Sequence, residues 1–233
     1  MKIAIMQPYF FPYLGYFQLI NAVDEFVIYD DIEFTKKGWI NRNRILVNAT
    51  DTIITLPLKK DSDFLHVNER FLSETWDVDR KKMLNRITES YRKATYFKEV
   101  YPIVEECIMY DDRNLFNFIL HSLQSLVQYL DIHTRFIVSS SIPINNQLKS
   151  SEKVKEICKQ RKAKSYINPI GGIELYNKED FKKNNLELKF HKMKNIEYNQ
   201  FGNEFIPSLS IIDVMMFNNK VEVQSKLDYF DYF

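Results

Sequence analysis

The sequence predicts an α/β fold: a small, mainly parallel sheet with a helical insertion in its middle third. Three observations predict it. Short apolar runs of strand length, at residues 3–6 and 25–29 and again at 136–138 and 165–167, are bounded by turn-forming or polar residues. Between the members of each pair lies a segment of helical spacing, Phe17 to Ala22 in the first and Val154, Ile157 and Cys158 in the second, which is the βαβ pattern of parallel strands. Between residues 76 and 131 the period becomes wholly helical.

The run at 3–6 meets Pro8 and Pro12, so the strand stops abruptly and a loop follows. That loop carries Gln7, Tyr9, Tyr13 and Tyr16 around Gly15. The run at 25–29 ends in adjacent carboxylates, Asp30 and Asp31. Parallel pairing brings these acids beside the first loop, at the carboxyl ends of the strands, where open α/β sheets bind ligands. Lys36, Lys37, Trp39, Asn41, Arg42, Asn43 and Arg44 follow within nine residues. So many donors and rings beyond a pair of acids imply a site for an anionic, polar ligand.

Strands at 45–47 and 53–58 come next, and alternation in FLHVNERFL places His66 on a strand face. No partner for His66 is visible in sequence, so it reads as a hydrogen-bonded surface histidine. Asp77 or Asp79 caps a helix carrying Met83, Ile87 and Tyr91 inward, with Lys81, Lys82 and Arg86 on a solvated face. Helices at 96–109, after Pro102, and 114–130 complete the insertion, His121 reading as structural. Ser150 or Ser151 opens the later helix, Gly171 and Gly172 turn the chain after the strand at 165–167, and 186–190 forms another short strand.

Several blocks together resemble a known family. QPYFFPYLGYFQLI, the acids at 30 and 31, KKGWINRNRI, Trp76, YRKATYF at 91–97, NPIGGIELY at 168–176 and FIPSLSIID at 205–213 are similar to the WbqC-like family of bacterial O-antigen and surface-polysaccharide gene clusters. The resemblance spans nearly the whole chain. It implies a place in polysaccharide biosynthesis, with a nucleotide-linked sugar as partner, and names no reaction and no cofactor.

Composition narrows the remaining classes. With 32 Lys and Arg against 31 Asp and Glu, no global charge argues for nucleic acid or an anionic membrane, so an anion site must be local. Two cysteines, Cys107 and Cys158, both on apolar helix faces, read as buried thiols of a cytoplasmic protein, and no charged-then-apolar leader precedes the first strand. No stretch approaches the roughly 20 apolar residues of a membrane span. Four histidines scattered over 233 residues do not compose a zinc site. Most of the 18 Phe and 14 Tyr read as core, but the tyrosines of the first loop crowd a prolyl turn instead of fitting a period, and suit stacking on a sugar or base.

These readings lead to one domain over residues 1–233, acting as a transferase that joins an acyl or aminoacyl group to the amine of a nucleotide-linked amino sugar. In this reading Asp30 or Asp31 is the catalytic base, Lys37 and Arg42 hold the diphosphate, and Tyr9, Tyr13, Tyr16 and Trp39 stack, with Gln7, Asn41 and Asn43 as further donors. Gly171, Gly172 and Tyr176 join the cleft, and Ser210 with Asp213 opens a short helix beside it. Two alternatives stay open: a noncatalytic glycan-binding or scaffold protein, and a nucleotidyltransferase of HUP-like fold. In the latter, Tyr13 and Tyr16 stand where an HxGH loop would carry histidines. The acyl donor and the oligomeric state are open as well.

Overall fold

The computed structural model describes residues 1–145 and 147–233. Strands β1 (Lys2–Met6) and β2 (Glu25–Ile28) pair in parallel, Ile3 opposite Glu25 and Met6 opposite Ile28, joined by α1 (Leu14–Asn21). Alternate residues point to opposite faces, and both faces are covered: Ile3, Ile5 and Val27 pack into one apolar cluster, Ala4, Phe26 and Ile28 into another.

The second half enters the same sheet on both sides of the first. Strand β5 (Arg135–Val138) pairs with β2, and after α5 (Ser150–Gln160) strand β6 (Ser165–Pro169) pairs with β1. Then α6 (Lys178–Lys183) leads to β7 (Glu187–Met193), parallel to β6, and a short β8 (Phe230–Tyr232) closes the edge antiparallel to it. The sheet order is β5-β2-β1-β6-β7-β8. Its five parallel strands, counted along the chain, lie 3-2-1-4-5, the doubly wound order in which the chain reverses between β1 and β6. The crossover through α5 therefore spans two strands. Two βαβ halves make a single sheet.

Helix α5 is anchored to β2 at both ends. Arg161, just beyond it, makes two hydrogen bonds of 2.8 and 2.6 Å to the buried Glu25 carboxylate, and Lys153 in its first turns reaches Asp31 at 2.7 Å. Val154, Ile157 and Cys158 face the sheet, each large apolar side chain contributing about 1.5–3 kcal/mol by burial.

The opposite face carries the larger core. Helices α2 (Trp76–Tyr91), α3 (Phe97–Met109) and α4 (Leu115–Tyr129) share one apolar cluster with α1, α7 (Ile211–Phe217) and α8 (Lys220–Lys226). Trp76 meets Phe118 edge-on at 5.4 Å. Pro102 lies inside α3 rather than before it. Strands β3 (Arg42–Val47) and β4 (Thr50–Thr55) form a separate hairpin, turning through Asn48 and Ala49 at φ 49° and 59°.

Two expectations change here. The second hairpin strand ends at Thr55 rather than near Pro57. His66 does not lie on a strand but opens a single 3₁₀ turn, Val67–Glu69. Val67 N–H bonds the Ile32 carbonyl at 2.9 Å and Asn68 N–H bonds the Asp30 carbonyl at 3.1 Å, so this segment clasps the exit of β2 instead of joining a ladder.

Candidate functional site

Polar residues from four parallel strands converge where the strand order reverses. A cleft of about 1190 Å³ opens at the carboxyl ends of β1, β2, β6 and β7, somewhat larger than the usual small-ligand site of roughly 300–1,000 Å³. Gln7, Tyr9 and Tyr13 line it from the first loop, Tyr29 and Asp31 from the exit of β2, and Asn168 with Gly171 and Gly172 from the exit of β6. Trp39 and His66 stand on one side, Lys149, Ser150 and Lys153 of the α5 N-terminus on another.

The first loop is held in an irregular path by donors from elsewhere. Phe11 has φ 42°, a left-handed conformation unusual for a bulky side chain. Its carbonyl accepts from Asn43 Nδ2 at 2.8 Å and from Ser210 Oγ at 2.8 Å, and Asn43 Nδ2 also reaches the Phe10 carbonyl at 3.0 Å. Tyr16, fully buried, donates to the Gln7 carbonyl at 2.8 Å. Gly15 leaves room for the Tyr13 ring, which a Cβ would meet at 2.4 Å. Burial pushes the Tyr9 and Tyr13 hydroxyls above the ordinary phenol range, so both remain hydrogen-bond donors.

Asp30 and Asp31 have different fates. Asp30 is 3% exposed: Oδ1 accepts from Ser140 N–H at 2.9 Å, and Oδ2 from Ser140 Oγ at 2.6 Å and Asn68 Nδ2 at 2.9 Å. The Ser139 Oγ, with one proton to donate, lies 2.8 Å from Asp30 Oδ1 and also within reach of Asp31 Oδ1. Asp30 thus ties β2 to the turn after β5, and is withdrawn from the cleft. Asp31 lines it. Partial burial raises the Asp31 carboxyl, but bonds from Lys153 and Ser139 outweigh this and hold it below the usual carboxylate range. The Lys153 ammonium also sits 5.1 Å from the centre of the Tyr29 ring.

At the exit of β6, Asn168 accepts from Tyr166 Oη at 2.9 Å and folds over Gly172, where a Cβ would meet Asn168 Nδ2 at 2.1 Å. Gly171 faces open space, and Tyr176 stands edge-on to Tyr166 at 5.7 Å while lining the cleft. His191 on β7 is 3% exposed, its Nε2 without a hydrogen-bond partner among the described residues, and burial lowers its imidazole to about 4.

Several residues chosen from sequence lie elsewhere. Arg42 donates Nε to the Gly38 carbonyl at 2.9 Å and a second nitrogen to the Lys37 carbonyl, so its guanidinium braces the Trp39 loop. Lys37 is exposed on that loop and does not line the cleft. Asn41 donates to the Leu56 carbonyl at 2.9 Å. Asn41, Asn43 and Tyr16 are buried and serve backbone. Ser210 caps α7 by accepting from Ile212 N–H at 3.2 Å. Asp213, buried behind it, accepts from Tyr91 Oη at 2.8 Å, Tyr198 Oη at 2.6 Å and Gln200 Nε2 at 2.7 Å. Burial raises its carboxyl despite these donors.

Lys149, Ser150, Lys153, Ser140, Asn168, His66 and His191 enter the cleft without having been singled out as ligand contacts in the sequence. The serines and lysines read locally as a cap and a polar helix face. The crossover of α5 to the reversal point turns Lys149, Ser150 and Lys153 toward the cleft.

The cleft is framed by the same blocks that distinguish the sequence, and a model of the WbqC-like protein family matches residues 7–225. The chain belongs to the WbqC-like protein family. This WbqC-like chain is also 29% identical to an uncharacterized protein of Mycobacterium tuberculosis, Rv1507c, over 98% of each chain. No solved structure matches it. Among the described residues of this family member no helix is long and apolar enough to cross a membrane.

Proposed function

We propose that this chain is an enzyme of surface-polysaccharide biosynthesis that transfers an acyl or aminoacyl group to the amine of a nucleotide-linked amino sugar. The observation that carries this reading is the pairing of two walls at the strand reversal: the α5 N-terminus with Lys149 and Ser150, and the rings of Tyr9, Tyr13 and Trp39. The first-turn N–H groups and the dipole of a helix suit a diphosphate, and Lys149 adds a charge that Arg42 is not placed to give. The rings suit a base or sugar face. Asp31, held ionised, is an acceptor for the sugar amine. A cleft of about 1190 Å³ leaves room for an acyl donor beside the sugar nucleotide.

One observation favours a second reading, a noncatalytic binding protein of the same pathway. Both acids already have partners in the free protein: Asp30 is enclosed by serine and asparagine donors, and Asp31 is paired with Lys153. Mass spectrometry of the protein with UDP- and dTDP-linked amino sugars and a panel of acyl and aminoacyl donors separates the two, run alongside equilibrium binding. A mass gain matching amide formation is expected. Tight sugar-nucleotide binding with no product across the panel moves the assignment to the binding protein, and absence of both removes the site.

A further inference from the structure

We propose that His66 is the proton acceptor of this cleft, taking the proton of the attacking amine while Asp31 orients it. This rests on the transfer reading above and assigns a catalytic group within it.

The argument begins with what Asp31 is already doing. Its carboxylate has a Lys153 ammonium at 2.7 Å and the Ser139 hydroxyl against its other oxygen. Such partners stabilise the ionised form, and a carboxylate so stabilised is a weak base. Asp30 is enclosed. Of the side chains lining the cleft, His66 and His191 carry imidazole, the group whose ordinary protonation lies nearest neutral pH. The Nε2 of His191 is sealed from solvent. The His66 side chain is 47% exposed and faces no such barrier.

His66 is also positioned. Its backbone N–H bonds Glu69 Oε2 at 2.8 Å, and the turn that follows is fastened to the Asp30 and Ile32 carbonyls. The strand exit that presents Asp31 therefore fixes His66 too. The same Glu69 oxygen lies 3.9 Å from His66 Nδ1, beyond hydrogen-bond distance but close enough for a bond to form when substrate binds and the ring turns. A base oriented by a third group is the usual arrangement of such sites, and its hydrogen bonds tighten when substrate binds. Asp31, Glu33, Lys149, Lys153 and Lys192 are the other charged groups lining the cleft.

With a thioester as acyl donor the step balances. The amine lone pair forms the C–N bond to the thioester carbon as an N–H proton passes to His66 Nε2. The carbonyl electron pair returns from oxygen and breaks the C–S bond. The departing thiolate then takes the proton from the imidazolium, giving amide, thiol and neutral His66.

The test uses the full chain, a UDP- or dTDP-linked amino sugar with an acyl-coenzyme A found active in the donor panel, and the variants His66→Gln, His66→Gly and Asp31→Asn. His66→Gln is expected to lower kcat by about 10²- to 10⁴-fold while the Kd for the sugar nucleotide, measured without donor, stays within about threefold. His66→Gly should regain part of its turnover when imidazole is added. Asp31→Asn should instead raise the sugar-nucleotide Kd. A kcat for His66→Gln within threefold of the unmodified protein, or a loss that merely follows the Kd, or no rescue by imidazole, overturns the assignment while leaving the transfer reading intact. No product from the unmodified protein with any donor overturns both.

Discussion

Asp31 and Asp213 are both acids surrounded by several hydrogen-bond donors, yet one opens onto a cleft and the other is sealed between helices. Asp31 faces a lysine, a serine and solvent, and its carboxyl is held low. Asp213 is 0% exposed and is met by two tyrosine hydroxyls and a glutamine amide, none of them charged, so burial prevails and its carboxyl is raised. A cationic partner at a solvent-open site leaves a group able to meet a ligand. Neutral donors around a sealed one pin separate elements together, here α2 through Tyr91, α7 through Asp213 itself, and the segment of Tyr198 and Gln200. Tyr91 extends the pin to the hairpin, since its oxygen accepts from Leu46 N–H at 2.8 Å.

The largest expected effect breaks the sealed network. Asp213→Ala removes the acceptor of three donors, Tyr91 and Gln200 buried and Tyr198 half-buried, and should lower unfolding free energy by about 3–5 kcal/mol, at roughly 1–3 kcal/mol for each buried donor left short of a partner. Urea denaturation measures it. A loss below about 1 kcal/mol would mean that the network adds little and that the two acids are not the contrast drawn here.

Asp31→Asn probes the open member of the pair. Its bond to Lys153 is mostly buried but opens on the cleft, so stability should fall by about 1–2 kcal/mol, less than for Asp213→Ala, while sugar-nucleotide affinity falls about tenfold or more by isothermal titration. Equal stability losses for Asp31→Asn and Asp213→Ala would erase the distinction.

A smaller effect concerns His191. Its folded imidazole titrates at about 4 against an ordinary 6.5, so between those values the unfolded chain binds the extra proton. The stability it supports is fully present above about pH 6.5 and is lost as pH falls toward 4, with a slope of at most about 1.4 kcal/mol per unit. His191→Phe, of similar shape, removes both this term and the unpartnered Nε2. Melting curves at pH 7 and 4.5 should lie closer together in the variant than in the unmodified protein.

The fold was legible where local pattern decides it. The runs at 3–6, 25–29, 136–138 and 165–167 are strands because each is short, apolar and sharply bounded, and the insertion is helical because Met83, Ile87 and Tyr91 share a face. Their order in the sheet was not legible, since buried parallel strands resemble one another and nothing local says that β5 joins β2 while β6 joins β1. In the site, Gln7, Tyr9, Tyr13, Asp31, Trp39, Gly171, Gly172 and Tyr176 were named from sequence and line the cleft. Asn41, Arg42 and Asn43 were named and do not. An irregular loop leaves its carbonyls without a ladder, and those carbonyls must find donors. In the sequence, an asparagine serving the Phe10 and Phe11 carbonyls looks the same as one awaiting a ligand.

Arg42 gives the finest test of that last point, with the smallest expected effect. A guanidinium gripping a diphosphate would, on truncation, weaken binding about 10- to 100-fold, the loss of a charge-assisted contact worth roughly 1.5–3 kcal/mol. Here its nitrogens brace the Gly38 and Lys37 carbonyls, and its carbon lies 5.7 Å from the centre of the Trp39 ring. Arg42→Ala should therefore change sugar-nucleotide Kd by less than about threefold and act mainly by loosening Trp39, visible as a shift in tryptophan fluorescence. Lys149→Ala, at the α5 N-terminus, should show the larger affinity loss and a weaker dependence of binding on salt. If the order is reversed, the phosphates lie against the Trp39 loop rather than against α5, and the ligand crosses the cleft in the opposite direction.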